Sequence, residues 1–513
     1  MFLDLANLSA VTIALPTIQE DFDVDVSTLQ WIISAYALTF GGFLLLGGRG
    51  GDIVGHRRVL LFGMACFALF AMVCAMSPTF VGLVIARAFQ GIGAAFTIPP
   101  AQAHIALHFT QPVRKAKALG VWGASGSLGF IIGLILGGVF TAFLGWRWIF
   151  WISFIISTCV IPAAYLILPR ISSGRSNITA HADRESTANS PRPPKSLMQS
   201  MRERLIRFDA LGIGLGVPGI LLLTYALTSA NSAGWAAPSV VSTLIVSVVL
   251  LLAFGLHERS ASQAILAPHL FKDLSFNLTL VLAVITYAVR QACTYFLTVQ
   301  LQSFGNSAIH TSVLFIPLGI SAFVFNTLSG RLVPLVGARC MFIAGWLLAI
   351  PGVLLFTFVD VNASYWRTTF PGTILYIAGL GAVYITANFV IVSSASRSDQ
   401  GAAAGVFNVA LQVGGSVVGL AVFTAVAEEA EGKYGDPSLP RGTLSRRGYQ
   451  SVYYSCLVLC GIGLLVSVFG IKVPRSMEGS VWRSEAVEET RSGRADDEAR
   501  SLRELQPVAD QHS

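Results

Sequence analysis

Fourteen apolar segments constrain this chain more than any single motif does. They lie at 1–18, 28–47, 59–77, 80–104, 117–142, 148–168, 210–229, 238–256, 276–302, 311–328, 341–358, 370–394, 401–426 and 449–471. Most reach the roughly 20 residues with which a helix crosses the hydrocarbon layer of a bilayer. Helices suit lipid because each span satisfies its own backbone hydrogen bonds. Composition agrees: 12% of the 513 residues are charged, half of the roughly 25% usual in soluble domains. The first segment starts at Met1 without a basic leader region or cleavage site, so it reads as a span rather than a signal peptide. Cys66, Cys74, Cys159, Cys293, Cys340, Cys456 and Cys460 show no metal-ligand spacing and no disulfide framework. The expected fold is all-α and polytopic, with no cofactor and no metal.

Positive charge orients the spans. With the N-terminus in the cytoplasm, 26 of the 34 Lys and Arg fall in inner loops and the C-terminal tail, and six fall outside. That bias obeys the positive-inside rule. It also explains the net charge of +7 without nucleic acid, because the basic residues are spread as topology signals. Residues 169–208, rich in Ser, Arg and Pro, read as a disordered cytoplasmic linker. Residues 473–513 read as a mixed-charge cytoplasmic tail. The expected organisation is a six-helix bundle at 1–168, the linker, a two-helix insert at 209–256, a second six-helix bundle at 257–472, and the tail.

An internal repeat supports that division. Gly48, Arg49, Gly55 and Arg57 recur 282 residues later as Gly330, Arg331, Gly337 and Arg339. At the same offset, Gly123, Gly133 and Gly137 recur as Gly405, Gly415 and Gly419. Parallel six-helix halves related by an axis along the membrane normal are a transporter plan, with substrate bound between the halves.

Ionisable residues within lipid are costly and mark function or pairing. Asp4, Arg87 and Arg290 are the three that fall inside the apolar segments. Asp4 is the candidate proton carrier and Arg87 its candidate regulator, against a structural role for Arg87 in bonding backbone carbonyls. Around Arg290, Tyr287, Gln291, Thr294 and Thr298 form a polar stripe at helical spacing, readable as a substrate surface or as a seam between helices. The glycine-rich loop from Gly48 to Arg58 places Asp52 either at a helix N-terminus or in a pair with Arg57 or Arg58. No phosphate-binding loop of the Gly-x4-Gly-Lys-Ser/Thr form is present, so the chain is not a self-contained ATP-driven pump.

These motifs carry a resemblance. Gly48, Asp52, Gly55, Arg57 and Arg58 resemble the cytoplasmic signature of the major facilitator superfamily, Gly-x3-Asp-x2-Gly-x-Arg-Arg/Lys. Arg87, Gln90, Gly91 and Gly93 are similar to its fourth-helix motif. Gly129, Gly133, Gly137 and Gly138 resemble its fifth-helix antiporter motif, with Leu134 where the family usually has proline. The two-span insert points to the fourteen-spanner drug:proton antiporter branch. The runs Phe2–Asn7, Ala14–Ile18, Ser34–Thr39 and Gly145–Phe150 resemble the fungal aminotriazole/boron-resistance and low-affinity ammonium transporter group. That branch commonly has an aspartate where Asn7 stands here; Asp4, about one turn earlier, is the residue available to replace it.

The resemblance implies two six-helix bundles plus a two-helix insert, and a secondary transporter with gating at Asp52 and close helix packing at the fifth-helix glycines. Asn7, Tyr36, Trp122, Tyr287, Arg290, Gln291, Tyr384 and Asn388 are the candidate cavity residues. Expected partners are a small-molecule substrate, protons and the lipid bilayer, with no nucleic acid, for a monomer in the plasma membrane or the vacuolar membrane. The leading function is proton-coupled efflux of a toxic compound or secondary metabolite. The alternatives are movement of a very small solute such as ammonium or borate, and a transporter-fold sensor. No acid–base cluster supports an enzyme.

Overall fold

The computed structural model describes residues 1–24, 26–169, 209–261, 265–266, 268–306, 308–361, 363–434 and 444–471. The tail and all of the 169–208 linker after Pro169 lie outside the described residues. Fourteen described helices are long and apolar enough to cross a membrane. They are α1 (Phe2–Phe22), α2 (Trp31–Val54), α3 (His56–Met76), α4 (Phe80–His108), α5 (Pro112–Phe143), α6 (Arg147–Ile167) and α7 (Ala210–Ala230). The others are α8 (Pro238–Ser260), α9 (Leu274–Ser303), α10 (His310–Val336), α11 (Ala338–Phe356), α12 (Thr369–Ser394), α13 (Gln400–Lys433) and α14 (Arg446–Gly470).

Each of the fourteen apolar segments corresponds to one helix, but the ends differ, and several helices run well past the apolar runs. The clearest correction concerns Gly48–Val54, expected in a loop. These residues form the last turns of α2. Glycine is a weak helix former, yet helices already packed against α2 hold it in place. The chain turns only at Gly55, whose φ of 107° falls where residues with a Cβ are strained. Gly337, 282 residues later, breaks α10 from α11 in the same way, with φ 90°.

The repeat is visible in the packing. In the first half α1 packs on α5, α2 and α3 on α4, and α3 on α6. In the second, α9 packs on α13, α10 and α11 on α12, and α11 on α14. Arg57 donates to the carbonyl of Tyr165 near the end of α6; its equivalent Arg339 donates to the carbonyl of Val468 near the end of α14. The halves meet along two seams, α2 with α13 and α5 with α10. The insert pair α7 and α8 pack on each other, and α7 also touches α2 and α13.

Large apolar side chains such as Phe62, Phe143, Leu166 and Phe469 are exposed around the outside, as expected where the surrounding solvent is lipid. Burial grades the helices: 83% of the most apolar window of α12 is buried, against 17% for α8. α12 is therefore an interior helix and α8 a peripheral one.

Gly129, Gly133 and Gly137 form the α5 face against α1. A Cβ at Gly137 would sit 2.6 Å from Ala10 Cα, and one at Gly133 would sit 2.6 Å from Ala6 Cα. Gly138 is a correction, since a Cβ there meets nothing within 4 Å. One residue beyond Gly137 is about 100° around the helix, so Gly138 turns away from the packed face.

Candidate functional site

Two adjoining lobes of about 360 Å³ and 340 Å³ lie between the halves and share eight lining residues. α1 supplies Asp4, Leu5 and Leu8, α2 supplies Ile33 and Tyr36, and α9 supplies Tyr287, Arg290 and Gln291. Tyr384 of α12 closes one wall, its ring 5.9 Å from that of Tyr287 and 6.0 Å from that of Phe407.

Asp4 is the one acid among the described lining residues. The Tyr36 hydroxyl donates to its Oδ1. The face of the Tyr36 ring lies 4.2 Å from the Arg87 guanidinium, and Arg87 itself is fully buried. Arg87 Nη1 donates to Asn7 Oδ1 at 2.7 Å and to Gln90 Oε1 at 2.8 Å. Its Nε donates to the Ile32 carbonyl at 3.2 Å. Asn7 Nδ2 donates in turn to Ser153 Oγ at 3.0 Å. One cation thus joins α1, α2, α4 and, through Asn7, α6. Where the related branch carries an acid, this chain has an amide that keeps the hydrogen bond to Arg87 without neutralising it. Asp4, one turn earlier on α1, faces the cavity.

Of the eight cavity candidates, Tyr36, Tyr287, Arg290, Gln291 and Tyr384 line the lobes, and Asn7, Trp122 and Asn388 do not. Asn7 is turned to Arg87, Trp122 packs against the core of the second half, and Asn388 is buried away from the cavity with both amide atoms unpartnered. Asn408, Gln412 and Ser416 of α13 also line it. They come from or adjoin a π-helical stretch, Ala410–Val418, a form frequent at functional sites. Their spacing of four residues marks a polar helical face in the sequence, the signal by which they could have been found.

The Asp52 site lies apart from the cavity, at the seam of α2 with α13. Asp52 Oδ1 accepts from the Gly401 amide at 2.9 Å and Oδ2 from the Ala402 amide at 2.7 Å. Those are second- and third-position amides of α13, whose orphan donors and positive dipole end favour an anion. Of the two roles open to Asp52, the helix N-terminus is the one observed. Pairing with Arg57 or Arg58 is not, because Arg57 stacks on Tyr165 at 4.7 Å and Arg58 is exposed. His56 Nε2 stands 3.4 Å from Asp52 Oδ1. Arg49 Nη1 lies 3.7 Å from Asp399 Oδ1, the residue preceding α13. Acid from the first half and acid from the second therefore each face a group of the other half.

Glycines permit this approach. A Cβ at Gly48 would sit 3.0 Å from Gly405 Cα, and one at Gly120 would sit 2.8 Å from Gly330 Cα. Shifted by the repeat offset, the first contact maps onto the second seam. In fourth-helix positions, Gly91 packs on Tyr36 and Thr39, and Gly93 on Phe67. At the Asp52 end the two halves are in contact.

A family model described as Major Facilitator Superfamily matches residues 1–419. The chain belongs to that superfamily. It is 33% identical over 433 residues to the puromycin resistance protein pur8 of Streptomyces alboniger, covering 83% of this chain and 79% of that one. It is 26% identical to the multidrug transporter mfsC of Aspergillus fumigatus, covering 81% and 76%. A low affinity ammonium transporter of Saccharomyces cerevisiae is 27% identical, with 86% and 80% covered. Among solved structures, the human organic anion transporter MFSD10 superposes with a TM-score of 0.61 at 16% identity, covering 91% of this chain and 96% of that one. The superfamily fold expected from the motifs is therefore present, with fourteen spans, and the chain is a transporter of that superfamily.

Asp52 lines neither lobe, so its effect should be on cycling. Asp52→Asn replaces a charge-assisted acceptor by an amide whose NH₂ opposes an N–H donor. Turnover should fall while equilibrium substrate affinity stays within about tenfold, or 1.4 kcal/mol. Binding and flux measured on the same purified, folded protein check this; a far larger loss of affinity would contradict a gating role.

Proposed function

We propose that this protein exports drug-sized toxic compounds or metabolites from the cytoplasm across the plasma membrane, in exchange for protons. The observation that carries the reading is the cavity itself. Each lobe falls within the roughly 300–1,000 Å³ of small-molecule sites, and its walls are largely apolar with a single carboxylate. The Asp52 end is assigned to the cytoplasm by the distribution of basic residues. In the closed arrangement at that end, the cavity exchanges with the other side. Release of the Asp52 and Asp399 contacts lets the halves part along the α2–α13 and α5–α10 seams.

In this reading Asp4 carries the proton. Its Oδ1 accepts from Tyr36, leaving Oδ2 to take the proton. Neutralising Asp4 removes its attraction for Arg87, which Tyr36 separates from it, and Arg87 holds three helices of the first half together. Proton entry thereby changes the balance at the junction of α1, α2 and α4. Ammonium or borate transport is the competing reading, supported by the yeast relative, but so small a solute leaves most of such a cavity to water.

Expressing the chain in a host stripped of its own efflux pumps, then timing both uptake and efflux across a panel of toxic compounds, tests the proposal. Faster efflux and improved growth on drug-sized compounds are expected. Enhanced movement of ammonium or borate with no effect on the larger compounds would overturn it.

A further inference from the structure

The cavity holds a cation with no acid paired to it among the described residues. Arg290 lines both lobes, makes no hydrogen bond or ion pair to a described residue, and has its Nε buried and unpartnered. The ring of Tyr287 lies 4.2 Å from the guanidinium carbon. Arg290 is only half-buried, and stacking gives its N–H donors no hydrogen-bond acceptor. Arg87 supplies the contrast, since three oxygen acceptors surround it. Asp4 does not serve Arg290 either: it belongs to the opposite half and is held by Tyr36.

Arg290 is also foreign to the internal repeat. The residue 282 positions earlier is Leu8, an apolar lining residue on the matching helix of the first half. The framework common to both halves does not require a cation here. What surrounds Arg290 is recognition chemistry, with the rings of Tyr287 and Tyr384 to one side and the Gln291 amide beside it. A planar fork of N–H donors matches a carboxylate, and flanking aromatic faces match a planar ring.

We infer that Arg290 is the anion hook of the transport site, and that the exported compounds carry a carboxylate on an aromatic or otherwise flat apolar body. The carboxylate pairs with the guanidinium while the ring lies against Tyr287 and Tyr384. This rests on the reading of the cavity as the export site, and it disfavours simple cations as cargo.

Three probes of one shape separate the charges: 1-naphthaleneacetate, the neutral 1-naphthaleneacetamide, and the cation 1-naphthylmethylammonium. Their affinities are measured on full-length protein in lipid nanodiscs. Wild type should bind the carboxylate at least about tenfold more tightly than the amide. Arg290→Gln should erase that ratio, the carboxylate losing at least about tenfold more affinity than the amide; an unfolding midpoint close to that of wild type reports that the variant is folded, and Arg290→Lys should restore part of the ratio. Equal affinities for carboxylate and amide, preference for the ammonium probe, equal losses for both probes in Arg290→Gln, or no binding of the carboxylate at millimolar concentration would each overturn the anion hook. Proton-driven flux of the ammonium probe would do so while leaving export by proton exchange intact. Loss of proton-driven flux with the carboxylate ratio preserved would instead remove the export reading.

Discussion

Leucine at Gly330 should slow transport by about tenfold or more and leave the protein folded. A Cβ there would lie 2.7 Å from Gly120 Cα and 2.8 Å from the Ala116 carbonyl oxygen, so the obstacle is backbone on the other half rather than a side chain that can swing aside. Overpacking of this kind costs about 1–3 kcal/mol, equivalent to a shift of roughly 5–150-fold between two states. The collision exists only while the Asp52 end is closed, and parting the halves relieves it. Spin labels at the exposed positions Arg114 and Leu335, with Cys159 and Cys340 replaced, would read the separation of α5 from α10. Gly330→Leu should move that distribution to longer distances; an unchanged distribution would show that the seam does not set the equilibrium. Gly133→Leu makes the opposing case. Its new side chain collides with Ser9 and with Ala6 inside one half, where no movement of the halves helps, so folded protein should be lost. Gly138→Ala, facing open space, should stay within about 0.5 kcal/mol of wild type.

Much of this architecture is legible in the sequence because lipid is an exacting solvent. A stretch long enough to cross it and poor in charge has few alternatives to a helix, and that is why all fourteen spans were readable. Helix ends were not, since α2 continues through Asp52 after its apolar run stops. There the glycines that signal a loop in isolation serve helix contact instead. The partner of Asp52 was also hidden. Gly401 and Ala402 lie about 350 residues away, and backbone amides leave no trace in a residue pattern. In the cavity, α9 was readable because its polar stripe surrounds a charged residue, whereas the α13 stripe, Asn408, Gln412 and Ser416, keeps a spacing of four but carries no charge to draw notice. Asn7 illustrates a different limit. Its type was noticed as a departure, but only the geometry shows an amide turned toward Arg87 while Asp4 faces the cavity.

Asp4→Asn should abolish the response of transport to a pH gradient. The substitution is nearly isosteric, and the amide oxygen can still accept from Tyr36, so the junction with Arg87 keeps its shape. What it loses is the capacity to take up and release a proton. For one-for-one exchange, each unit of pH difference supplies about 1.4 kcal/mol, enough for tenfold accumulation of substrate. No other described acid lines the cavity, so none stands ready to replace it there. The neutral amide probe, although bound more weakly than the carboxylate, is the cargo for this test, because its distribution does not follow pH in the absence of a carrier. The decisive measurement is substrate accumulation in proteoliposomes with an acidic lumen, wild type against Asp4→Asn. The account predicts about tenfold accumulation per pH unit for wild type and simple equilibration for the variant. Equal accumulation by both proteins, or none by wild type, would contradict it.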